Sequence, residues 1–123
     1  MILLDTNAVI WLLAGHPRAA GLRPAVDRLY LSPVVLLELK FLLEVGRVEV
    51  MPGRSVADVV KDPRWLLDSP RSDVLFTAAL DVEWTRDPFD RLITAHARCR
   101  RWRIATGDQA MIAALPTASV VAL

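Results

Sequence analysis

Ile2-Leu3-Leu4-Asp5-Thr6-Asn7, at the start of the chain, sets the reading of everything after it. Three aliphatics ended by polar residues read as a short buried strand, Met1 to Asp5. Asn7 to Ala14 then reads as a helix stopped by Gly15-His16-Pro17. Leu29 to Leu31 is a second strand. Ser32-Pro33 opens a helix, with serine as N-cap and proline in the first turn, that runs to Val45 before Gly46. Val48 to Pro52 is at best a short extended piece. Ser55 to Lys61 suggests a short helix, Trp65 to Leu67 a third strand, and Arg71 to Leu80 another helix. Asp87-Pro88 starts the most clearly signalled helix, which reaches Arg100. Trp102 to Thr106 is a fourth strand, Asp108 caps a short helix to Leu115, and Ser119 to Ala122 is the last strand. Strands alternating with helices imply a parallel sheet of four or five strands with right-handed crossovers, a three-layer α/β/α domain spanning 1–123.

In such sheets functional groups gather beyond the carboxyl ends of strands. Asp5 and Asp108 fall at or just past two such ends. Asp5 is either a cap, a task Asn7 can also perform, or a functional carboxylate. Glu38 shares a helix side with Val34, Val35, Phe41, Leu42 and Val45, opposite the Lys40–Glu44 stripe. It therefore faces the core or a cleft. A carboxylate there costs several kcal/mol unless it is paired, for example with Arg91, or holds a metal. Asp87 and Asp90 resemble an N-cap and its first-turn partner, roles compatible with binding a ligand. Carboxylates crowded together repel and need a counter-charge. A hard divalent cation with oxygen ligands is the usual one, so Asp5, Glu38, Asp90 and Asp108 point to a Mg²⁺ or Mn²⁺ site.

At 123 residues, with 54% hydrophobic residues, the chain suits one core with apolar surface to spare for a partner. The single cysteine, Cys99, excludes an internal disulfide and a cysteine-rich zinc site, fits a cytoplasmic setting, and reads as a small core residue. The apolar start lacks a basic leader, and no run is long enough to span a membrane. Net charge is only +1, so no overall basic field advertises nucleic-acid binding. The basic charge is uneven, however. Arg98, Arg100, Arg101 and Arg103 cluster where they either solvate a helix C-terminus or contact phosphate. His96, without a second histidine nearby, reads as structural, and His16 joins no constellation. Trp11, Trp65, Trp84 and Trp102 read as core or partner surface.

Taken together, Leu3-Leu4-Asp5-Thr6-Asn7, Ser32-Pro33 with Glu38-Leu39, Arg86-Asp87-Pro88-Phe89-Asp90-Arg91-Leu92-Ile93 and Thr106-Gly107-Asp108 resemble the PIN domain. Their spacing is that of the small VapC-like members of toxin–antitoxin pairs. The resemblance implies a central first strand, a metal-dependent endoribonuclease acting on single-stranded or loop RNA, a homodimer, and a small VapB-like antitoxin as inhibitor. The family's acidic quartet maps onto Asp5, Glu38, Asp90 and Asp108, with Asn7, Asp87 and Thr106 in support. Thr85 stands where similar sequences often carry histidine, and Gly107 where they carry a larger residue. Acidic residues cannot attract RNA, so rim arginines must, with Arg86, Arg91 and Arg98 as candidates. Three other readings remain open: a phosphate enzyme with Asp5 as nucleophile, a PIN-fold nuclease that is not a toxin, and a non-catalytic interaction protein. Asn7 stands where the first of these often needs a second aspartate.

Overall fold

The computed structural model describes residues 1–123. β1 (Ile2–Leu4) leads into α1 (Thr6–Ala14), and β2 (Leu29–Leu31) into α2 (Pro33–Glu44). β3 (Leu66–Leu67) is followed by α3 (Ser72–Leu80) and α4 (Pro88–Arg100). β4 (Arg103–Thr106), α5 (Gln109–Ala114) and β5 (Val120–Ala122) complete the order. The five strands form one parallel sheet, β3-β2-β1-β4-β5. Ile2 is in register with Leu29 on one side and Arg103 on the other, so β1 is flanked by both halves of the chain. The connections run outward from β1 in opposite directions, and right-handed crossovers then place helices on both faces. The core is filled by Leu3, Leu4 and Leu31 from the strands and by Val9, Val35, Ile93 and Met111 from the helices, all fully buried.

Helix starts follow the sequence signals closely. Ser32 caps α2 through Val34 N–H, with Pro33 in the first turn, and Gly15 ends α1 at a positive φ of 65°. Other details refine or depart from expectation. The cap of α1 is Asp5, not Asn7, and the helix begins one residue early. The short helix expected at 55–61 forms as a 3₁₀ helix (Val56–Lys61) with Ser55 at its N-cap, while 48–52 forms no strand. A further 3₁₀ turn at Pro17–Ala19 carries no apolar periodicity by which it might be read. Trp65 leaves the third ladder, because its buried indole Nε1 donates to Val59 O at 2.9 Å. Cys99 is only partly buried rather than in the core.

α2 corrects a second expectation. Its buried stripe is Val35 and Leu39, a quarter-turn away from Glu38. Phe41 and Val45, expected inside with Glu38, are 49% and 52% exposed, and Phe41 leans instead on Phe89, ring centroids 6.1 Å apart. Glu38 thus lies at the boundary between core and cleft.

The short edge strand β3 is held by polar bonds. Asp68 N–H bonds Leu31 O at 2.9 Å, and the Asp68 carboxylate meets buried His96 Nε2 at 2.8 Å and Arg100 Nε at 2.9 Å, both on α4. Burial pushes the Asp68 carboxyl up, but the bonds from Arg100 and His96 outweigh it and hold it below the ordinary range. Burial keeps His96 below its usual value against the pull of Asp68. His96 is therefore structural. Replacing Asp68 with alanine strands a buried imidazole and should cost about 1–3 kcal/mol. A denaturant midpoint unchanged from wild type would show that this tie contributes nothing.

Candidate functional site

Four backbone devices bring the acidic residues to one edge of the sheet. Asp5 follows β1 directly, its N–H bonded to Ala105 O of β4 at 3.1 Å. Asp108 follows β4 and caps α5, accepting Met111 N–H at 2.9 Å. Asp87 caps α4, accepting Asp90 N–H at 3.0 Å, and so fixes Asp90 in the first turn. α2 carries Glu38 alongside. The sequence of connections reverses about β1, and the crevice beyond the carboxyl ends at such a switch is where open α/β sheets bind ligands.

Two threonines orient the quartet. Asp5, 6% exposed, accepts Ala8 N–H at 2.8 Å on Oδ1 and the Thr106 hydroxyl on Oδ2. Thr106 Oγ1 in turn accepts Asp108 N–H at 3.0 Å, which joins the two aspartates. Thr6, beside Asp5, donates to Glu38 Oε1. The Glu38–Arg91 pair considered from sequence does not form: Arg91 Nε bonds Thr85 O at 2.9 Å instead. Thr85 also accepts Asp87 N–H at 3.1 Å, so the residue in place of the family's histidine shapes the loop before α4.

The electrostatics show how closely these groups sit. Burial lifts the Asp90 carboxyl to about 7, helped by Asp87, Glu38, Asp108 and Asp5. Burial likewise raises Asp5 to about 6 against the bonds from Thr106 and Ala8, with Glu38 and Asp108 adding to the rise. Glu38 is raised by burial and by Asp87 and Asp108, against the Thr6 bond. None of the chain's ion pairs involves any of the four.

This donor set fits a hard cation, since every donor is oxygen and no histidine or cysteine joins it. No three of the chain's histidine, cysteine, aspartate or glutamate side chains stand close enough together to hold a metal ion by themselves. Magnesium tolerates that, because it keeps several waters and usually takes only one or two carboxylates.

The other expected positions divide. Asn7 is exposed in the first turn of α1, and Arg86 is exposed beside Asp87. Arg98 is not at the cleft. It lies in the last turn of α4, eight residues and roughly 12 Å along the helix from Asp90. The cation beside the cleft is one that sequence reading missed, Arg18. Its guanidinium stacks on Trp11, 4.2 Å from the ring centroid, and donates to Leu123 O at 2.9 Å. Both side chains press on Gly107, where a Cβ would meet Trp11 at 2.3 Å and Arg18 Nη2 at 2.9 Å. A larger residue between Thr106 and Asp108 therefore requires Trp11 and Arg18 to move. The signal was the pairing of a glycine at 107 with tryptophan at 11, which only the fold brings together.

The PIN domain family matches residues 2–114, and the chain belongs to that family, whose members are generally nucleases that use divalent metals. No curated protein matches the chain. Among solved structures, a toxin–antitoxin complex from Klebsiella pneumoniae aligns at a TM-score of 0.71 and 18% identity, over 98% of this chain and 96% of that one. The structure of FitAB bound to an IR36 DNA fragment aligns at 0.54 and 20% identity, over 99% and 94%. At these identities the likeness is one of fold.

Asp5 and Asp90 bind protons more tightly in the folded, metal-free protein than an unfolded aspartate does at about 3.9. Their contribution to stability is therefore full below about pH 4 and is lost as pH rises through 6 to 7. In chelator, Asp90→Asn should melt higher than wild type at pH 8, with the gap closing toward pH 4. Melting curves with no gap at pH 8 would contradict the crowding.

Proposed function

We propose that the chain is a Mg²⁺- or Mn²⁺-dependent endoribonuclease acting on single-stranded or loop RNA, the toxin of a VapBC-type pair. The observation that carries this reading is a set of four carboxylates without a cationic partner at the switch point of a PIN sheet, three of which, Asp5, Glu38 and Asp90, have raised proton affinity. Asp5, Glu38, Asp90 and Asp108 would hold a divalent cation, which would supply positive charge to a scissile phosphate and lower the pKa of a water. The chain's part is orientation. Thr106 and Thr6 hold Asp5 Oδ2 and Glu38 Oε1 in fixed directions, so little reorganisation is needed when the cleft is loaded. Asp87 keeps the first turn of α4 in place and acts as a positioning residue. The phosphate backbone needs a cation at the rim, and Arg18, held at the Gly107 edge, is placed to supply it, with Arg86 and Arg91 next along the Asp87 loop.

An antitoxin must close an acidic cleft, and an arginine is the natural group to do so. Asp5 is too enclosed to receive one bidentately, whereas Asp90 is half-buried and accessible. Leu37 and Phe41 give α2 an exposed apolar strip for a partner helix or for a second copy in a homodimer. The Klebsiella neighbour is itself a toxin–antitoxin complex, which supports this partner class.

The test is cleavage of a single-stranded RNA by the purified protein. Activity should need Mg²⁺ or Mn²⁺, vanish in chelator, and fall at least about 100-fold in Asp5→Asn and Glu38→Gln while both variants stay folded. Full activity in chelator or in either variant would end the reading. Gly107→Ala should displace Trp11 and Arg18 and raise KM more than it lowers kcat. An unchanged KM would remove Arg18 from substrate binding.

A further inference from the structure

At the amino-terminal edge of the sheet, on the far side from the acidic cleft, α4 ends and β4 begins around a cavity of about 410 Å³. Arg98, Arg101 and Arg103 line it, together with Thr94, Trp102 and Ser119. Three features set it apart from a solvated helix end. None of the three arginines has an acidic partner, although Arg100, between them in sequence, is committed to Asp68. Arg101 is the one non-glycine residue with positive φ, 58°, a conformation that costs an ordinary side chain energy and turns the chain sharply from α4 into β4. Thr94, completely buried, is among the residues around the cavity, and its hydroxyl has no hydrogen-bond partner. Buried hydroxyls are nearly always bonded, so an orphan one beside an uncompensated positive cluster marks a place where a polar ligand belongs.

We propose that this cavity binds the phosphate monoester of a nucleotide. Guanidinium groups pair bidentately with phosphate oxygens, and three of them at one mouth, without a carboxylate between, match a dianion. The volume lies in the range of small-ligand pockets. The wall is part apolar, formed by Ala97, Ile104, Leu115 and Trp102, which gives a base a surface to lie against. The Trp102 indole is already held rigid by stacking on Tyr30, centroids 4.1 Å apart. A free mononucleotide and the 5′-phosphorylated end of a nucleic-acid strand share this chemistry. The site is independent of the nuclease reading, since none of its groups belongs to the acidic cleft.

Titration calorimetry in excess chelator, so that the acidic cleft cannot take phosphate through a metal, tests the proposal on the whole chain. Adenosine 5′-monophosphate should bind saturably with one site per chain, and adenosine should not. Arg101→Gln with Arg103→Gln should weaken that binding at least about tenfold with the melting temperature unchanged, and Asp5→Asn should leave it intact. Comparing a short oligonucleotide with a 5′-phosphate against its 5′-hydroxyl form assigns the source. A gain from the phosphate marks a strand end, and no gain marks a free nucleotide. No saturable binding up to about 10 mM, equal binding of adenosine, or binding unchanged in the double arginine variant would each overturn the site.

Discussion

Mutual repulsion among carboxylates converging on one edge of a parallel sheet is the constraint around which this molecule is arranged. Asp5, Glu38, Asp90 and Asp108 are brought together by four separate elements, none of them arrives ion-paired, and burial raises the proton affinity of Asp5, Glu38 and Asp90. A cluster of this kind works against folding at neutral pH. It persists because the surrounding chain over-determines it. β1 lies at the centre of the sheet, bonded on both sides, so Asp5 cannot withdraw. Thr106 ties Asp5 to the Asp108 turn, and Thr6 ties Glu38 to the start of α1. Helix caps do double duty, since the bonds that start α1, α4 and α5 are made by Asp5, Asp87 and Asp108 themselves.

That double duty explains why the site was legible in the sequence. A capping aspartate is a strong local signal, and three of the five acidic positions at the cleft carry it: Asp5 and Asp108 after apolar runs, and Asp87 before a proline. Glu38 was legible for another reason: a carboxylate on the apolar side of a helix demands an explanation. The elements followed equally local rules, with Ser32-Pro33 and Asp87-Pro88 marking helix starts to the residue. Strand ends were less exact: β1, β4 and β5 are each shorter than expected, and at the third strand Trp65 is drawn away by the bond from its indole to Val59 O.

What the sequence concealed depends on long-range contact. Nothing local says that Arg18 should lie on Trp11 against Gly107, because the three residues meet only when β4 is laid beside β1. The same contact gives the glycine at 107 a reason, since the indole and guanidinium occupy the volume a side chain there would take and would have to shift to admit one. The arginines near α4 show the converse. Sequence proximity suggested one phosphate-contacting group, but helix geometry carries Arg98 to the opposite edge from Asp90 and sends Arg100 to Asp68. Phe41 and Val45 were likewise misread as inward-facing, because periodicity gives a face but not which neighbour covers it.

The central claim is that the four carboxylates await a divalent cation. Crystals soaked in Mn²⁺ and measured at an energy where manganese scatters anomalously test it directly. The account requires an anomalous peak between Asp5 and the side chains of Glu38, Asp90 or Asp108, at oxygen-ligand distances of about 2.0–2.3 Å, and its absence from crystals of Asp5→Asn. A map with no peak at the cleft, or with manganese bound only elsewhere on the molecule, would contradict it.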